Sequence, residues 1–234
     1  MAIYMWREYH PELCFTAEQA NSTVRIVVFW TPTAVNLETS TDWQTWVDHT
    51  FGSTITLANI WNKIYFRNKS EITTGFSIDN QNFYLFVMTW SIAASWDVTY
   101  LLNKNWTTTL SNYCFLKLFQ NATSLTTPPV LTATILARES YSNMFFWCTS
   151  LKTLPKLSVV SLSDYCYYYM FYWCSSIKLS TTQTWEYQTP YRIPTTWSWA
   201  TWTNSMLNMF YNTWWTFTWT PSINTTYYTS NTVV

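Results

Sequence analysis

The sequence predicts an α+β chain: an N-terminal antiparallel β-sandwich-like domain followed by a short α/β leucine-rich-type solenoid. Two observations lead there. The first hundred residues hold short runs rich in β-branched and aromatic side chains, separated by polar turn clusters. The second half repeats with a fixed offset: "LFQNATSL" begins at Leu118, "MFFWCTSL" at Met144 and "MFYWCSSI" at Met170, each 26 residues after the last. Offsets of roughly 20 to 29 residues belong to repeats in which one unit buries its apolar face only against the next.

Taken in order, "STVRIVVF", "TAVNLET", "STITLAN", "KIYFRN", "NFYLFVMT" and "DVTYLL" read as strands of an antiparallel sandwich over residues 1–105. The polar stretch "NKNWTTT", Asn103 to Thr109, marks the boundary. The repeats follow over residues 106–184. In "SDYCYYYMFY", Ser163 suits an N-cap, Asp164 suits the positive end of a helix dipole, and Cys166 and Met170 lie four apart on one face. "SLTTPPVL" and "SLKTLPKL" continue as short extended segments, because proline excludes helix. Each repeat therefore reads as helix, turn and short strand. A fourth copy, "MFYNTWW" at Met209, is irregular, and residues 185–234 read as its cap.

Composition narrows function. The 234 residues carry 12 basic and 12 acidic side chains, which leaves no electrostatic footprint for nucleic acid or an anionic membrane surface. No apolar run reaches the roughly 18 residues of a membrane helix, and the opening "MAIYMWREYHPELCF" does not read as a secretory signal. The anomaly is glycine. An average chain of this length holds roughly 16 glycines; this one holds 2, beside 17 tryptophans.

The tryptophans sit where glycine is normally needed. Just after each expected helix stand Asn121, Trp147, Trp173 and Asn212. This is the C′ position, which favours a left-handed glycine or asparagine. Trp61, Trp96, Trp106 and Trp43 lie in segments that read as turns around a central glycine, whereas Trp46 reads as an ordinary strand tryptophan. The hypothesis is that most of these tryptophans occupy glycine positions. Some bacteria read the codon UGA as Trp and others as Gly, so the wrong table would write this chain. The stretch "TWSWATWTNSMLNMFYNTWWTFTWTP" would then be glycine- and threonine-rich turns.

"YCYYYMFYWCSSI", "FWCTSLKTLPKL" and "FTWTPSINTTYYTSN" resemble the BspA-type leucine-rich repeats of bacterial surface proteins, over about residues 110–234. The characteristic Met-Phe-x-Gly-Cys-x-x-Leu block matches Met144 to Leu151 and Met170 to Ile177, with Trp147 and Trp173 at its glycine. The resemblance implies a cell-surface or extracellular location, adhesion to a protein or glycan on another cell or matrix, and no reaction.

Chemistry-bearing constellations are sparse. His10 and His49 lie in no metal-ligand spacing, no cofactor motif is present, and the acidic residues form no acid–base couple. Reading Trp197 to Trp202 with glycines does not give a nucleotide loop. Cys148 and Cys174 match Ala122, and Cys114 and Cys166 match Ser140, which points to small packed residues; a Cys148–Cys174 bridge stays open. The candidate ligand-binding residues are Phe146, Tyr169 and Tyr172, because their equivalents in other repeats are Gln120, Asn143 and Lys117 and such positions face solvent. Ordinary surface variation is the competing reading. The expectation is a non-enzymatic recognition protein; alternatives are a carbohydrate-binding accessory module or a phage or mobile-element tail component.

Overall fold

The computed structural model describes residues 12–32, 34–72, 75–103, 107–195, 204–215 and 220–234, with the backbone alone for 214 and 215. Trp106, Trp197, Trp199, Trp202, Trp219 and His10 lie outside the described residues. The described chain is nearly all β, in several small sheets, with one 3-10 turn at Val98–Leu101 and no α-helix. The α+β expectation, with its solenoid of helices and strands, is therefore overturned.

The first part forms two sheets. The larger contains β1 (Leu13–Ala17), β3 (Leu37–Ser40), β4 (Val47–Asp48), β6 (Lys63–Asn68), β8 (Ile92–Ser95) and β9 (Leu125–Thr127), in the order β4-β3-β6-β1-β8-β9. Its pairings are antiparallel except that β9 joins β8 in parallel. The smaller places β2 (Ser22–Phe29) between β5 (Ile55–Leu57) and β7 (Phe83–Thr89). In β2 and β6 buried side chains alternate with half-buried or exposed ones, as expected of strands with one face on a core. "DVTYLL" is not a strand. Asp97 caps the 3-10 turn by accepting a hydrogen bond from the Thr99 N–H at 2.9 Å, and its other oxygen accepts one from the Thr132 hydroxyl.

The segments expected to be helices are chains of four-residue turns. Positive φ recurs at every fourth residue: Tyr113, Lys117 and Asn121; Glu139, Asn143 and Trp147; Tyr165, Tyr169 and Trp173. Even-numbered amides of the first segment bond locally, such as Leu116 N–H to the Tyr113 carbonyl at 3.0 Å. Odd-numbered ones reach the next repeat: Phe115 to Ser140 (2.8 Å), Phe119 to Met144 (3.0 Å) and Asn121 to Phe146 (2.7 Å). A helix keeps its amides within itself, so this division of donors excludes one. The residues also disfavour helix, since the aromatic side chains of "YCYYYMFY" lose rotamer freedom there.

The same alternate bonding continues from Trp147 to Tyr172 (2.8 Å) and from Trp173 to Tyr211 (2.9 Å), and below from Phe86 to Leu118 (2.8 Å). Successive segments thus stack as layers on β7 and β8, the first layer bonding to both through Phe86 N–H to Leu118 and Ile92 N–H to Ser124. One line of rings runs through them. Phe86, Phe119, Phe145, Phe171 and Phe210 stack at centroid spacings of 5.4, 5.6, 5.5 and 5.2 Å, no two neighbours tilted by more than 12°. All five are fully buried within one apolar cluster extending from Leu13 to Tyr227. Beyond the layers, β12 (Thr189–Ile193), β14 (Thr225–Thr229), β11 (Lys178–Ser180) and β13 (Trp214–Trp215) form a small sheet. Asn231 then donates from Nδ2 to the carbonyls of Lys152 and Ser176, both at 3.0 Å, tying the C-terminal segment across two repeats.

Candidate recognition surface

The last four-residue turn of each of the first three layers places two consecutive residues inside and leaves the next half-buried and the fourth exposed. In the second layer Met144 and Phe145 are fully buried, Phe146 is half-buried and Trp147 exposed; Met170, Phe171, Tyr172 and Trp173 repeat this. Stacking the layers therefore stacks Phe146 on Tyr172, with centroids 4.5 Å apart and rings within 4° of parallel. Tyr172 in turn stacks on Tyr211 at 4.9 Å and 6°. Tyr169 meets the edge of Tyr172 at 4.9 Å, and Tyr168 stacks on Tyr169 at 4.0 Å. The three residues singled out from the sequence, Phe146, Tyr169 and Tyr172, thus belong to one half-exposed aromatic face. Tyr211, Tyr168 and Tyr165 join it. Tyr211 stands at the place of Tyr172 in the irregular fourth copy, "MFYNTWW" at Met209, so the repeat alignment offered it as well.

The Tyr168 phenol is pushed up to about 12, first by burial and then by its hydrogen bond with Tyr169. Asn204 Nδ2 donates to Tyr165 Oη at 3.1 Å. Both faces of the Tyr172 ring are covered, by Phe146 and Tyr211, so Tyr172 offers a partner no open ring face.

Asn121, Trp147, Trp173 and Asn212 have φ of 61, 62, 59 and 56°. They end runs of turns, not helices, so the helix-capping role is corrected to that of a left-handed turn residue. Trp147 and Trp173 flank the aromatic ladder and meet edge to face at 6.2 Å.

The five cysteines are buried and free. Cys148 donates to the Phe119 carbonyl at 3.1 Å and Cys174 to the Phe145 carbonyl at 2.9 Å, each thiol reaching back one layer. Burial holds both thiols well above their ordinary range. Among the described residues no cluster of His, Cys, Asp or Glu could hold a metal ion, and no helix is long and apolar enough to cross a membrane.

A cleft of about 590 Å³ lies at the far end of the large sheet, where β3, β4 and β6 run out. Lys69 pairs with Asp48 at 2.7 Å on its rim. His49 packs its ring against Phe51 and Phe66, and its Nε2 is buried without a hydrogen-bond partner. The walls come from residues more than thirty positions apart, which sequence spacing does not reveal.

Compared with family models, with curated proteins and with solved structures, the chain matches none.

Proposed function

We propose that the chain is a non-enzymatic recognition module that binds a protein on another cell or on extracellular matrix. The observation that carries this is the half-exposed ladder of Phe146, Tyr172 and Tyr211, widened by Tyr169 and Tyr168. Tyrosine suits such a role: it presents a large rigid apolar area at a small entropy cost and carries a hydroxyl at its tip. Sugars stack on open ring faces. Tyr172 has none to give, which favours a protein partner over a glycan. The resemblance of Met144 to Leu151 and Met170 to Ile177 to surface-protein repeats supports the same reading and an extracellular setting.

The test is binding of the purified chain to surfaces coated with fibronectin, laminin or collagen, and to a glycan array, beside a Tyr169→Ser/Tyr172→Ser variant that keeps its thermal transition. Binding to a matrix protein that falls at least tenfold in the variant supports the proposal. Binding to none, or equal binding by the variant, refutes it, and a purely glycan signal returns the alternative of a carbohydrate-binding module.

A further inference from the structure

We infer that the seven tryptophans with positive φ among the described residues, namely Trp30, Trp43, Trp61, Trp90, Trp96, Trp147 and Trp173, are glycines in the native polypeptide. The recognition face is then built from its tyrosines and Phe146 alone. The left-handed region is open to glycine and strained for a residue with a Cβ. Seven such penalties together are comparable with the whole stability of a domain.

Positive φ alone does not mark a missing glycine. Tyr113, Lys117, Glu139, Tyr165 and Tyr169 adopt it too, but each is buried or half-buried within a stacked layer. The tryptophans differ in three ways. First, six of the seven are exposed, from 39% at Trp96 to 80% at Trp30, so the largest apolar side chain gains little there from burial. Second, their positions are those of glycine in turn chemistry. Trp90 opens the two-residue connection that passes from β7 in one sheet to β8 in the other, and its φ of 61° is one that glycine adopts freely. Trp61 is the third residue of a turn closed by Asn62 N–H to the Asn59 carbonyl at 3.1 Å, with φ of 71°. In the turn from Thr50 to Ser53, closed the same way at 3.1 Å, that residue is Gly52, with φ of 83°. Third, Trp147 and Trp173 are equivalent to Asn121 and Asn212, and what tryptophan and asparagine have in common there is only a place that glycine would fill.

Trp46 provides the contrast within the same chain. Its φ is not positive, its indole N–H donates to the Trp43 carbonyl at 3.0 Å, and Arg67 lies 3.8 Å above its ring, whereas Trp43, whose indole N–H also donates, to Glu12 Oε2 at 3.2 Å, stands on a left-handed backbone with φ of 66°. A tryptophan is used there as one. Reading UGA as Trp where the source reads Gly produces both kinds of site, since true tryptophans come from the other codon.

The deciding experiment is peptide mass analysis of the protein isolated from its source. Trypsin releases residues 26–63, which carry Trp30, Trp43, Trp46 and Trp61, residues 70–104 with Trp90 and Trp96, and residues 139–152 and 157–178 with Trp147 and Trp173. The expected fragment spectra place glycine at the seven positions and tryptophan at 46. Tryptophan at Trp147 or Trp173, or at most of the seven, overturns the inference. Neither outcome depends on what the aromatic face binds.

Discussion

Gly52 and Trp61 occupy the third position of two turns built alike, each closed by an N–H donated from its fourth residue to the carbonyl of its first at 3.1 Å. Their φ values are 83 and 71°. A Cβ placed on Gly52 would meet nothing within 4 Å, and the Trp61 side chain is 75% exposed, so neither position is decided by packing. Backbone preference is what remains. Trp61→Gly is expected to stabilise the chain by about 1 kcal/mol relative to Trp61→Ala, because alanine keeps the Cβ that the left-handed region disfavours. Urea unfolding of the two variants measures this directly. Equal midpoints would mean that the turn imposes no strain.

Tyr141 and Tyr167 continue the second internal ring stack from Phe115, at 6.0 Å each, and their hydroxyls are buried without a hydrogen-bond partner. Phe115 already shows that the site accepts a ring with no hydroxyl. Tyr141→Phe is therefore expected to raise stability by about 1 kcal/mol, the rough cost of an unmade buried hydrogen bond. A drop of that size in a thermal or urea transition would reveal an unrecognised partner for the phenol.

The cysteines are expected to be inert while the chain is folded. Burial pushes the Cys114 and Cys166 thiols up to about 12 and the Cys148 and Cys174 thiols well above the ordinary value, so almost no thiolate exists near neutral pH. Labelling with a disulfide reagent at about pH 8 should proceed only as fast as the chain unfolds. Rapid labelling of any of the four in the absence of denaturant would contradict the buried, layered packing.

His49 gives stability a pH dependence of known sign. Burial lowers its folded pKa below the ordinary value of 6.5, so the fold favours the neutral ring. As pH falls through the unfolded value the unfolded chain gains a proton that the folded chain resists. Stability is then full above about pH 6.5, declines below it and levels once the folded ring is protonated. Comparing urea midpoints at about pH 7.5 and 5.5 in the chain and in His49→Leu should show the decline only in the former. An identical slope in both would assign it to other groups.

Part of this fold was open to reading and part was hidden for physical reasons. Strands Ser22–Phe29 and Lys63–Asn68 each have one face on the core, so their alternation is visible. Leu13, Cys14 and Phe15 are all buried because β1 is central in its sheet and covered on both sides, which erases that signal. The spacing of Cys166 and Met170 is real, but a turn repeat of four residues and a helix of 3.6 barely separate over ten positions. The outward placement of Phe146, Tyr169 and Tyr172 followed from comparing repeats. Their stacking did not, since it depends on how amides divide between turn and neighbouring layer.

The most direct test of the account compares the chain as written with one carrying glycine at all seven positive-φ tryptophans, in stability and in binding to the matrix-protein panel. The account predicts a higher thermal transition for the glycine chain, with matrix binding unchanged within about twofold, because recognition rests on the tyrosines and Phe146. Loss of binding together with no gain in stability would contradict it and return the tryptophans to the centre of the site.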